Sequence, residues 1–189
     1  MSVGKTTPTA ATFTRTTAAK INSIDTLYSQ EVVDALNYRI IEEEKSARLY
    51  DAMSAWLCNN GYLGAGALWK DYAKEEWAHA EWSRGYLIGL GVQPKYQTIP
   101  EVKNTYTSLP AIIKESLAHE VEITQQCNDL SKTAMQKADF LLLELSSRYM
   151  KEQHEEVAKI LDWEDQLKAF GTEGAALRLL DTEMGKKVL

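Results

Sequence analysis

The 189-residue chain is poor in cysteine, histidine and proline. Two cysteines, Cys58 and Cys127, cannot form the framework that staples small secreted domains. Both fall in apolar-periodic stretches and are expected as buried free thiols of a reducing compartment. No run of 18 or more apolar residues occurs, which excludes a transmembrane helix. The apolar central run of a secretory signal is missing as well. So is a basic excess: 27 acids face 21 Lys and Arg, a net charge of -6, unlike a dedicated nucleic-acid binder. What remains is an ordinary soluble composition, 44% hydrophobic and 25% charged, with length enough for one domain and a sizeable core.

The charge is uneven. Residues 1–24 hold Lys5, Arg15 and Lys20 and no acid, so residues 25–189 carry 27 acids against 18 bases. The Thr/Ala-rich stretch 1–28 shows no apolar period and reads as a flexible basic tail; an organelle transit segment has the same composition. Residues 29–189 read as one helical domain.

Proline is scarce in an informative way. Pro94, Pro100 and Pro110 fall in one short window, and none lies between Pro8 and Pro94 or after Pro110. Because proline breaks helix interiors, that window is the major loop. Helices are expected over 29–59, 63–90, 109–136 and 139–170, with a short fifth over 173–184. Ser29, Asp139 and Thr172 are candidate N-caps, and Asn60-Gly61, Gly91 and Gly171 candidate breaks. Two short connections make each flanking pair an antiparallel hairpin. The 91–108 connection could reach roughly 59 Å, while the second helix spans about 42 Å. It can therefore cross the whole bundle and set the second and third helices parallel. One long crossover between two helical hairpins is the ferritin-like four-helix arrangement.

Steps of three and four residues give each long helix an apolar stripe interrupted near its middle by an acid. The stripes run Leu36, Ile40, Glu43, Ala47, Tyr50; Trp69, Tyr72, Glu76, His79, Ser83; Ile113, Leu117, Glu120, Thr124, Cys127; and Tyr149, Gln153, Glu156, Ile160, Trp163. No Lys or Arg falls on the chosen stripes. Four buried carboxylates need compensation, and metal is the remaining partner. Together they would balance two divalent cations. Glu76 and His79, three apart, share a helix face. Carboxylates with one imidazole suit iron or manganese better than zinc. One Glu-x-x-His spacing in a Glu-rich chain says little; one acid per helix at mid-helix says more.

From about Leu36 to Met184 the chain resembles the bacterial non-haem ferritins. The resemblance rests on Met53-Ser54-Ala55-Trp56, Glu75-Glu76-Trp77-Ala78-His79, His119-Glu120 with Ile123-Thr124-Gln125, and Glu152-Gln153-His154-Glu155-Glu156. It implies a ferroxidase that oxidises Fe(II) with O2 or H2O2 and stores ferric mineral in a cytoplasmic 24-subunit cage. It implies a first iron on Glu43, Glu76 and His79, and a second on Glu76, Glu120 and Glu156, with Gln153 and Tyr50 beside them. A third iron would use Glu75, Glu152 and Glu155 and share Glu156. Gln153-x-x-Glu156 replaces a second Glu-x-x-His. Trp77 stands where haem-binding relatives have Met, so no haem is expected. Arg148 stands where many relatives have Trp. The short fifth helix, with Leu177, Leu179 and Leu180, is expected either at a four-fold axis or against its own subunit.

Two other readings stay open. A 12-subunit DNA-protecting mini-ferritin would need a His on the first helix, which has none, though a basic tail suits it. A non-catalytic cage or scaffold would keep the helices without the chemistry. On the ferritin reading, removing Glu43, Glu75, Glu76, Glu120, Glu152, Glu155 and Glu156 leaves 20 acids against 18 bases over 25–189. The excess acid is then mostly iron ligand.

Overall fold

The computed structural model describes residues 28–188. The basic tail expected over 1–28 lies, apart from Tyr28, outside the described residues. Five helices follow in order: α1 Gln30–Asn59, α2 Leu63–Gly89, α3 Leu109–Lys137, α4 Phe140–Phe170 and α5 Ala175–Gly185. There is no strand among the described residues. The protein is all-α: a four-helix bundle with one long α2–α3 crossover and a short C-terminal helix.

Local chemistry sets the helix ends. The Ser29 hydroxyl accepts from the Val32 amide at 3.3 Å, the Ser108 hydroxyl from Ala111 at 3.2 Å, and the Asp139 carboxylate from Leu142 at 2.9 Å. Each such cap stabilises its helix by about 1 kcal/mol. Pro110 sits in the first turn of α3, where its missing N–H costs nothing. α3 runs through Lys137 and is closed by Ala138 in the left-handed region, φ 52°. Thr172 does not cap α5. The helix begins two residues later than 173, after Gly174, whose φ of 56° favours glycine, and no side chain caps it.

α1 packs along α2, and α3 along α4. The crossover Leu90–Ser108 runs along α1. Its Lys95 amide donates to the Asn37 side chain at 2.7 Å, and the Gln97 amide group donates to the Asn37 carbonyl at 3.2 Å. Farther on, Tyr106 is buried and stacks edge-on against Trp56 near the other end of α1, with 6.1 Å between rings.

Two apolar clusters fill the bundle ends. One joins Met53, Leu57, Trp69, Ile112, Ile113, Ile160 and Trp163 with Leu177, Leu180 and Met184 of α5. The other joins Val32, Leu36, Ile40, Leu87, Ile123, Cys127, Leu142 and Tyr149. Between them lies a polar middle.

The apolar face of α5 is therefore absorbed by its own subunit, while Leu179 stays 47% exposed. The Ala65 amide donates to Asp181 at 2.8 Å, and Arg178 donates to the Gly61 carbonyl at 2.7 Å. Cys127 is buried as expected, but Cys58 is exposed. Its Sγ nonetheless lies against Gly66 of α2, where an added Cβ would come within 2.4 Å of it.

The α2–α5 contact depends on Gly64. A Cβ there would lie 2.0 Å from the Asp181 carbonyl oxygen and 2.9 Å from the Gly185 nitrogen. Gly64→Ala is expected to undock α5 or destabilise the chain by about 2 kcal/mol. Thermal unfolding with limited proteolysis around α5 checks this; an unchanged melting temperature and an intact α5 would refute it.

Candidate metal centre

The polar middle is built from one acid per long helix. Glu43 of α1, Glu76 of α2 and Glu120 of α3 are each 2% exposed, and Glu156 of α4 is 8% exposed. They meet because the acid sits near mid-length in every helix and the crossover sets α2 parallel to α3. His79 follows Glu76 by one turn and projects from the same face.

The donor atoms form overlapping groups. Glu43, Glu76 and His79 place one ligand atom each within 4.8 Å of one another, as do Glu76, Glu120 and Glu156, and His79, Glu152 and Glu156. The first two groups share Glu76. The His79 Nδ1 lies 3.3 Å from Glu76 Oε2 and 3.6 Å from Glu156 Oε1, and its Nε2 lies 4.0 Å from Glu152 Oε1.

Neutral donors hold Glu120. The Tyr50 hydroxyl donates to one carboxylate oxygen and the Gln153 amide to the other. Gln153 also donates to the Glu120 backbone carbonyl at 3.2 Å. Gln153 thus orients a carboxylate. Tyr149, from the turn before Gln153, donates to the His79 carbonyl at 2.7 Å and contacts the Ser83 hydroxyl at 2.9 Å. These bonds lock α4 to α2 at the level of the site.

Burial and mutual repulsion set the proton affinities. Burial, then the charges of Glu156, Glu43 and Glu120, push Glu76 well above the ordinary carboxylate range. Burial and the charges of Glu120 and Glu43 push Glu156 up to about 10. Burial raises Glu120 too, opposed by its bonds from Tyr50 and Gln153. His79 is shifted down by burial, which keeps its imidazole neutral and able to donate a lone pair. Tyr50 is pushed far up by burial and by Glu120, so it remains a phenol donor. The cavity beside Tyr50, Tyr72, Glu120, Glu156 and Lys159 measures only about 10 Å³, room for one water at most. A cluster of dry, mutually repelling carboxylates with a neutral imidazole fits cations better than it fits protons.

Not every candidate residue joins this cluster. Glu75 and Glu152 are half-buried and Glu155 is exposed. No three-residue group among the described residues contains Glu75 or Glu155. Glu75 instead pairs with Lys159 at 3.1 Å. Arg148 stacks on the Trp82 ring at 3.7 Å, and Trp82 lies 4.6 Å from the His79 ring.

Two bases are buried beside the stripes. Arg39 is 2% exposed, and its Nε donates to Glu43 Oε1 at 2.7 Å. Arg84, 4% exposed, pairs with Glu44 and Glu81. The expectation that no Lys or Arg compensates the core acids is thereby corrected. Arg39 lies three residues after Leu36 and four before Glu43, so its spacing allows the seam as readily as that of Ile40. Its hydropathy does not advertise it, but a base four residues before an acid was a readable signal.

Comparison with known proteins places this geometry. The Ferritin-like domain family model matches residues 33–170. A bacterial non-heme ferritin of Escherichia coli O157:H7 is 32% identical over 154 residues, covering 82% of this chain and 93% of that protein. One from Staphylococcus aureus strain MRSA252 is 27% identical over 161 residues, covering 85% and 97%. The open pore ferritin of the hyperthermophilic archaeon Archaeoglobus fulgidus superposes with a TM-score of 0.81 at 30% identity, covering 84% of this chain and 97% of that one.

The raised carboxyls give a pH dependence with a definite sign. Metal binds the carboxylate form, so binding expels protons and tightens as pH rises toward about 10, where Glu156 ionises. Conversely, the metal-free fold is favoured most below the ordinary carboxyl value of 4.5 and loses that contribution as pH rises through the folded values. Zn(II) titration in a weakly buffered solution is expected to acidify it, and pH-independent binding without proton release would contradict the assignment.

Proposed function

The chain belongs to the ferritin-like family, and on that premise we propose that it is an iron-storing ferroxidase. The observation that carries this reading is the pair of ligand groups sharing Glu76, Glu43–Glu76–His79 and Glu76–Glu120–Glu156, within one chain. Iron is the substrate. Glu43, Glu76 and His79 would take one Fe(II), and Glu76, Glu120 and Glu156 the second. Glu76 bridges them, as in paired-metal sites with ions about 3.5 to 4 Å apart.

Hard carboxylate oxygens hold Fe(III) better than Fe(II), which favours oxidation. Two Fe(II) together give two electrons to one O2, which takes up two protons and becomes H2O2. With H2O2 as oxidant the same two electrons yield two waters. Tyr50 and Gln153 keep Glu120 aimed while the charge at the centre changes. The apolar clusters on either side keep the centre dry. Five protein ligands over two metals leave positions open for the oxidant. A third iron at Glu75, Glu152 and Glu155, sharing Glu156, would have to draw Glu75 away from Lys159. No haem role is assigned.

Ferric product would collect inside a 24-subunit cage of this 21.3 kDa chain, in a cytoplasmic setting. No described helix is long and apolar enough to cross a membrane. The ligand groups lie inside a single subunit, which favours this assembly over a 12-subunit relative whose ligands are shared across an interface. A ligand set this full also argues against a purely structural scaffold.

Glu76→Ala is expected to slow aerobic Fe(II) oxidation by at least about 100-fold with helix content intact. Stopped-flow absorbance with circular dichroism on the same sample tests it. Unchanged kinetics would sink the assigned centre. Light scattering that gives twelve copies would sink the cage size.

A further inference from the structure

We propose that Arg39 is a positioning residue whose fixed positive charge loosens the centre's hold on its metal, making it a site of transit. The proposal rests on reading Glu43, Glu76 and His79 as metal ligands.

The guanidinium is wedged in place. Its Nε donates to Glu43 Oε1 at 2.7 Å and its Nη1 donates to Gln126 Oε1 of α3 at 2.6 Å. Gln126 in turn donates to Glu42 Oε2 at 3.0 Å. The carbon of the guanidinium lies 5.9 Å from the Tyr149 ring centre. The Nη2 is buried with no acceptor among the described residues. An arginine does not shed its proton when buried, so this charge is permanent.

Two consequences follow. The first is geometric. With Oε1 committed to Arg39, Glu43 offers the metal one oxygen, and a charge-assisted bond fixes which way it points. The second is electrostatic. Glu43, Glu76, Glu120 and Glu156 carry four negative charges when ionised, and two divalent ions would cancel them. Arg39 leaves three, so a fully loaded centre carries one excess positive charge. That excess grows when the ions become trivalent, so Arg39 repels the ferric product more than the ferrous substrate. A store needs this: iron that stays in the centre blocks the next pair. Arg39 therefore exchanges affinity for turnover at the residue where α1 meets the metal.

Zn(II), which is redox-inert, separates binding from oxidation. In the assembled full-length protein, Arg39→Gln keeps an amide donor for Glu43 and removes the charge. It is expected to bind Zn(II) about tenfold more tightly, since a unit charge acts strongly on a divalent ion at such range. Arg39→Met removes the charge at similar length and should shift in the same direction, so the test survives if one neutral variant fails to fold. Arg39→Lys keeps the charge and should stay within about threefold of the parent. Calorimetric titration reads all three. Neutral variants that bind Zn(II) equally or more weakly would overturn the proposal and reduce Arg39 to holding Glu43 in place. A lysine variant as tight as the neutral ones would overturn it also. A parent protein that binds no Zn(II) would instead defeat the metal-centre reading and this proposal with it.

Discussion

Four carboxylates face one another in the middle of a bundle that is apolar on both sides. Each has left water, and each repels the others. Neither cost is met by hydrogen bonding alone, because, of the four carboxylates, Tyr50 and Gln153 donate only to Glu120, and Arg39 donates only to Glu43. Glu76 and Glu156 are left with raised proton affinity. This unresolved repulsion is what the rest of the fold supports. A bundle selected for stability alone would fill those positions with leucine.

The remainder of the structure holds the four acids together against that repulsion. An apolar cluster lies on each side of them, and α5 extends one cluster by burying Leu177, Leu180 and Met184. The crossover lies along α1 from Asn37 to Trp56 and fastens it at both ends. Buried polar contacts fix helix against helix, Tyr149 to the His79 carbonyl at the level of the centre and Trp69 to Ser116, at 3.0 Å, within the neighbouring cluster. A helix sliding by one turn would move its acid about 5.4 Å and dismantle the ligand groups.

Much of this was legible in the sequence because its signals are local and periodic. Proline placement exposed the crossover, Ser29 and Asp139 marked helix starts, and steps of three and four brought out Glu43, Glu76, Glu120 and Glu156. The signals failed where partners come from other helices. Arg39 looks like a surface residue by hydropathy, and its bond to Gln126 of α3 is a contact that α1 alone does not contain. Cys58 sits in an apolar stretch yet stays exposed at the end of α1. The ion pair of Glu75 with Lys159 of α4 is likewise a contact between helices that spacing along α2 does not contain. α5 starts at Ala175, after Gly174 with its positive φ, and not at the Thr172 cap that residue type favours.

The sequence by itself determined that this is an all-α chain with one acid at the middle of each long helix, since periodicity and breakers are properties of consecutive residues. The tertiary structure decided which of those acids share a metal-sized space, which bases enter the core with them, and that α5 packs on its own subunit. Those outcomes depend on distances between helices, and no spacing along one chain segment contains them.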